Sequence, residues 1–137
     1  MHRKVLLWGL IFAGIAVMLG AFGAHALKSL VPADKVIIFE TGVRYQFMHA
    51  FALILFSFYL QHNLSISNPP KGIKLTAHFF LLGILCFSGS LYLLSLQSIC
   101  SYPYAKLVGP ITPLGGLLFM LGWANWVRVV CLHKVDK

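Results

Sequence analysis

The sequence predicts an all-α membrane protein, with four transmembrane helices in an up-down-up-down bundle and a short interfacial helix between the first two spans. Three observations carry that prediction. No side chain of fixed charge lies between Lys4 and Lys28, Arg44 and Lys71, Lys74 and Lys106, or Lys106 and Arg128; each interval can cross a hydrocarbon layer about 30 Å thick, which takes roughly 20 helical residues. Hydrophobic residues make up 59% of the chain, charged ones 10%, and the mean hydropathy is +0.84, far from a soluble domain's balance. Lipid also offers no hydrogen-bond partners, so runs of this length satisfy their backbones as helices. With 137 residues, loops and tails are too short for a separate aqueous domain, and residues 1–137 read as one membrane domain.

The first span runs from about Val5 to Leu27. Its start, Met1-His2-Arg3-Lys4, and the later Ala24-His25-Ala26 imitate a secretory signal, but 23 apolar residues exceed a signal core and match a full span, so it is read as uncleaved. Gly9, Ala13, Ala16, Gly20 and Gly23 recur at steps of four and three, giving one nearly flat face suited to close helix packing. Gly83, Cys86 and Ser90 form a shorter stripe on the third span, so these two spans are expected to pack together.

Pro32-Ala33-Asp34-Lys35 followed by Val36-Ile37-Ile38-Phe39 reads as the short interfacial helix. The second span is placed at about Val43 to Leu60. Asn68-Pro69-Pro70 cannot continue a helix and marks the central turn. The third and fourth spans are placed at about Leu75 to Leu96 and Leu114 to Leu132.

Four crossings put both ends on one side, where Arg3, Lys4, Lys71, Lys74, Arg128, Lys134 and Lys137 face four cations, Lys28, Lys35, Arg44 and Lys106, on the other. The excess predicts cytoplasmic termini. Trp8, Tyr59 and Trp126 suit the inner boundary, and Tyr45, Tyr102 and Tyr104 the outer one. The net charge of +8 is spread along the ends of apolar runs, which argues for headgroup contact and against nucleic acid. Cys86, Cys100 and Cys131 are dispersed, with no CxxC or His-Cys spacing.

On this topology the uncommon polar residues gather in the outer half, and the inner half has no such set. Polar groups at membrane depth face the bundle interior or water and are functional candidates. The candidate ligand-binding residues are His25, Arg44, Gln46, His49, Ser88, Tyr92, Thr112, Gly115 and Gly116. Gln46 and His49 share a helix face. Glu40 sits one turn before Arg44 at the spacing of an ion pair, whose alternative reading is a snorkelling anchor. His25 and His49 are read as hydrogen-bonded interior histidines or, if they face each other, as ligands or a proton relay, with Ser88, Tyr92 and Ser95 able to accept hydrogen bonds. In Gly109-Pro110-Ile111-Thr112-Pro113-Leu114-Gly115-Gly116, Thr112 can cap the last helix with Pro113 at its first position. The free N–H groups there suit an anion, or the string is a compact start packed against the first helix.

Four strings, Gly20-Ala21-Phe22-Gly23-Ala24-His25-Ala26-Leu27, Phe39-Glu40-Thr41-Gly42-Val43-Arg44-Tyr45-Gln46 with His49-Ala50, Phe87-Ser88-Gly89-Ser90-Leu91-Tyr92 and the Gly109–Gly116 segment, resemble the YgdD-like membrane proteins. That family includes the animal transmembrane protein 256 and is a domain of unknown function, number 423. The resemblance covers nearly the whole chain. It implies a small four-span protein, in bacteria of the inner membrane, and supplies no activity.

The functional expectation is an integral membrane protein that binds a small or lipidic ligand, or assists another membrane protein, through a polar pocket in its outer half. Two alternatives stand beside it: an oligomeric small-molecule transporter or channel, and a haem or quinone redox protein using His25 and His49. No enzyme motif is present, and no cofactor or metal is assigned. The expected partners are membrane lipids, then a second copy or another membrane protein.

Overall fold

The computed structural model describes residues 1–63, 72–99 and 108–132. The central turn at Asn68-Pro69-Pro70, Cys100, Tyr102, Tyr104, His133 and the cations Lys71, Lys106, Lys134 and Lys137 lie outside the described residues. Among those described, all regular structure is helical: α1 (His2–Ala24), α2 (Ala33–Asn63), α3 (Ile73–Gly83), α4 (Gly89–Leu96) and α5 (Ile111–Leu132). A π-helical turn, Ile84–Ser88, joins α3 to α4, so residues Ile73–Leu96 form one span. Four helices are long and apolar enough to cross a membrane.

The expected interfacial helix is not a separate element. After Pro32, whose carbonyl accepts from the Lys35 and Val36 N–H groups at 3.0 and 3.2 Å, nothing breaks the helix, and α2 runs unbroken for 31 residues. At 1.5 Å per residue that is about 46 Å, longer than the hydrocarbon layer requires, so the Asp34–Lys35 end projects beyond the apolar run. Gly42 lies within this helix, and a Cβ there would meet the Tyr92 ring at 2.8 Å, so the missing side chain makes room for the third span.

The small face of α1 packs on α2, not on the third span. A Cβ at Gly9 would lie 3.0 Å from the Ala50 carbonyl oxygen, Gly20 faces Val43, and Gly23 lies against the Phe39 ring. Rising positions on α1 therefore meet falling positions on α2, and the two run antiparallel. The stripe on the third span faces α5 instead. Gly83 lies against Phe119, Gly122 against Phe80, and Gly115 against the backbone of Phe87. The expected pairing of the first and third spans does not hold, because the space at Gly9, Gly20 and Gly23 of α1 is filled by Ala50, Ile54, Val43 and Phe39 of α2 and that at Gly83 by Phe119 of α5.

The centre is filled by Leu53, Phe56, Leu60, Phe80 and Ile84, with Phe119 and Val129 from α5. A second cluster, Leu27, Val31, Val36 and Phe39, closes the end where α1 meets α2 and is packed by Leu19, Val43, Tyr92 and Leu96. The α3 start is set by Gly72, whose φ of 84° lies in the left-handed region that favours glycine.

The π turn was not foreseen. It falls where the Phe87 backbone presses on Gly115, and that contact gives a prediction: Gly115→Leu should lose about 1–3 kcal/mol of stability by overpacking, whereas Gly89→Ala, with nothing within 4 Å of its Cβ, should melt at or above the parent temperature. Thermal melting of the two detergent-solubilised variants by fluorescence-detected size exclusion makes the comparison.

Candidate functional site

The polar residues expected to line one pocket are divided among separate hydrogen-bonded ties. Gln46 is buried where α1, α2 and the third span meet. Its Nε2 donates to the Phe12 carbonyl oxygen at 2.9 Å, and the Tyr92 hydroxyl donates to its Oε1 at 2.9 Å. One amide thus joins three spans. Phe12 stands midway along α1, so this tie belongs to the middle of the bundle and not to its outer half.

His49, one turn further along α2, is sandwiched between aromatic groups. Its ring stacks on Phe119 with centroids 3.5 Å apart and planes 9° from parallel. The Trp123 indole N–H donates to His49 Nε2 at 3.3 Å, and His49 Nδ1 lies 2.9 Å from the Tyr45 carbonyl oxygen. An indole nitrogen only donates and a carbonyl only accepts, so the proton sits on Nδ1 and the imidazole is neutral. Both ring nitrogens are engaged, leaving neither for a metal or a relay.

His25 stands apart. It is exposed at the end of α1, thirteen residues beyond Phe12, which is about 20 Å along the axis. The two histidines therefore do not face each other, and the paired-ligand expectation fails on that distance.

Thr112 is part of a second tie. Ser90 Oγ donates to the Phe87 carbonyl oxygen at 2.8 Å and lies 2.7 Å from Thr112 Oγ1. With the Ser90 proton committed, Thr112 is the donor between them. α5 begins at Ile111, so Thr112 lies inside the first turn and does not cap it, and Pro113 is the third residue. The missing proline N–H costs nothing there, since the first four have no helical partner. Gly115 is buried under Phe87, and the Phe87 ring also lies 3.7 Å from a Cβ at Gly116. These glycines admit the third span, and the space expected for an anion holds Phe87.

Ser88 is fully buried in the π turn, and its Oγ has no hydrogen-bond partner among the described residues. Ser95 bonds to the Tyr92 carbonyl on its own helix. The predicted ion pair does not form: Glu40 and Arg44 are exposed and not in salt-bridge contact among the described residues. Both stand instead at an open apolar groove of about 310 Å³ between α1 and α2, with Ala16, Val17 and Gly20 on one wall and Val43 and Phe47 on the other.

The opposite end holds a third tie that sequence reasoning missed. Asn125 Nδ2 donates to Thr76 Oγ1 at 2.8 Å and to the Gly72 carbonyl oxygen at 3.0 Å, and Ser57 Oγ donates to the His2 carbonyl oxygen at 3.1 Å. Asn125 in Trp123-Ala124-Asn125-Trp126 was a visible polar interruption of an apolar run.

Four apolar helices joined by glycine contacts and buried polar ties define an integral membrane helix bundle. A family described as "Protein of unknown function (DUF423)" matches residues 19–116, and the chain belongs to that family. It is 38% identical to the UPF0382 membrane protein YwdK of Bacillus subtilis (strain 168), over 88% of this chain and 90% of that one. It is 35% identical to the UPF0382 inner membrane protein YgdD of Escherichia coli (strain K12), over 89% of this chain and 85% of that one. A UPF0382 membrane protein of Haemophilus influenzae is 36% identical over 80% of this chain and 78% of its own. No solved structure matches.

The geometry makes the Gln46–Tyr92 bond a measurable coupling. In a double-mutant cycle with Gln46→Leu and Tyr92→Phe, the interaction energy should fall at about 0.6 to 2 kcal/mol, the range of interhelical bonds in lipid. Ser88→Ala removes a hydroxyl that bonds to nothing described and should leave the melting temperature unchanged or higher.

Proposed function

We propose that the protein binds a membrane lipid in the lateral groove between α1 and α2, within a bacterial inner membrane, crossing it in alternating directions with both termini cytoplasmic. The observation that carries this reading is the groove itself: its walls are apolar, it opens sideways where acyl chains lie, and it carries two exposed charged residues, Glu40 and Arg44, that form no salt bridge among the described residues. A charged side chain facing lipid is costly unless its head reaches polar partners at the boundary.

An internal polar pocket is a poorer site, because Gln46, His49, Ser90 and Thr112 already bond to one another, to Tyr92 and Trp123, or to backbone. A path through one copy is closed by Leu53, Phe56, Leu60 and Phe80, all fully buried. Haem ligation would require His49 to surrender Trp123 or Tyr45. The purified protein should accordingly show no Soret band.

Val17 is 61% exposed and lies on the groove wall, so Val17→Trp fills the groove without entering the core. Native mass spectrometry should find a phospholipid retained by the parent and absent from this variant at unchanged melting temperature. Equal lipid retention by both would overturn the reading.

A further inference from the structure

Glu40 and Arg44 lie one helical turn apart, which is about 6 Å along the axis, and both stand at the α1–α2 groove. Glu40 is the nearer to the Ala33 end of α2. It directly follows Phe39, which packs against Gly23 in the last turn of α1, while Arg44 directly follows Val43, which packs against Gly20. The Glu40 backbone therefore stands one turn nearer than that of Arg44 to the end where α1 meets α2. Beyond Arg44 the groove walls are apolar, Ala16, Val17 and Phe47.

Along the membrane normal the order is therefore anion, cation, apolar furrow. A phospholipid with a primary amine in its headgroup presents the complement in the same order: ammonium outermost, phosphate beneath it, acyl chains deepest. Arg44 offers a planar fork suited to two phosphate oxygens, and Glu40 accepts from an ammonium that carries hydrogens. Neither side chain is committed elsewhere among the described residues, and both are exposed.

Resting on the groove reading above, we propose that this groove selects an aminophospholipid, a glycerophospholipid with a phosphoethanolamine headgroup, with Arg44 on the phosphate and Glu40 on the amine. The assignment separates this lipid from two relatives. A phosphocholine lipid has the same formal charges, but its trimethylammonium has no N–H to donate. A phosphoglycerol lipid keeps the phosphate and has no cation for Glu40.

The test uses the purified full chain, delipidated and presented with equal amounts of dioleoyl phosphatidylethanolamine, phosphatidylcholine and phosphatidylglycerol, with bound lipid counted by native mass spectrometry. The parent should prefer phosphatidylethanolamine by about tenfold, equivalent to ~1.4 kcal/mol. Glu40→Gln should bring that preference over phosphatidylglycerol close to one, while Arg44→Gln should weaken all three. Both positions are exposed, so melting temperatures should match the parent; the exchange Glu40→Arg with Arg44→Glu, which keeps net charge, should also lose the preference. Unchanged selectivity in Glu40→Gln or in the exchanged variant overturns the headgroup assignment and reduces the pair to snorkelling anchors. Should Val17→Trp abolish retention of all three lipids while the charge variants change nothing, the groove stands and only the headgroup is wrong. Should Val17→Trp keep the parent's preference, the groove itself is not the site.

Discussion

Helices in lipid gain little from hiding apolar surface from one another, because the acyl chains they leave are equally apolar. Close backbone approach must therefore supply much of the attraction, and here it depends on glycine. Gly9 lets α1 settle on the Ala50 carbonyl, and Gly115 lets α5 settle on the Phe87 backbone. Two antiparallel pairs result, α1 with α2 and the third span with α5. Every other feature of the bundle is arranged around those two contacts.

The buried polar residues then join the pairs and steady their ends. Gln46 spans α1, α2 and the third helix, His49 reaches Trp123 on α5, and Asn125 holds the start of α3. An unsatisfied polar group in a dry interior is costly, so such groups fix relative rotation more firmly than leucines could. Their hydrogen bonds are made within the bundle, and the lipid-facing surface carries charged groups of a different kind. There Glu40 and Arg44 stand exposed at the α1–α2 groove.

Much of this was legible in the sequence, and for definite reasons. A fixed charge in hydrocarbon is expensive, so the charge-free intervals mark spans almost independently of tertiary context, and all four appear. Glycine spacing likewise identified the flat face of α1, and its residues do pack. Rotational register was less legible. Gln46 and His49 share a helix face, and that much holds, but a shared face does not say which helix stands opposite. The partner of the α1 stripe was misjudged for the same reason, and the Glu40–Arg44 spacing allowed a pair that the side chains do not make.

Composition and charge patterning by themselves determined an all-helical membrane protein with four spans, because the hydrocarbon layer acts on each segment separately and asks only for length and apolarity. Tertiary structure alone decided that the second helix runs unbroken from Ala33, that Phe87 occupies the space above Gly115, and that Glu40 and Arg44 stand at a groove. Those outcomes depend on which surfaces meet across tens of residues, and no single segment carries that information.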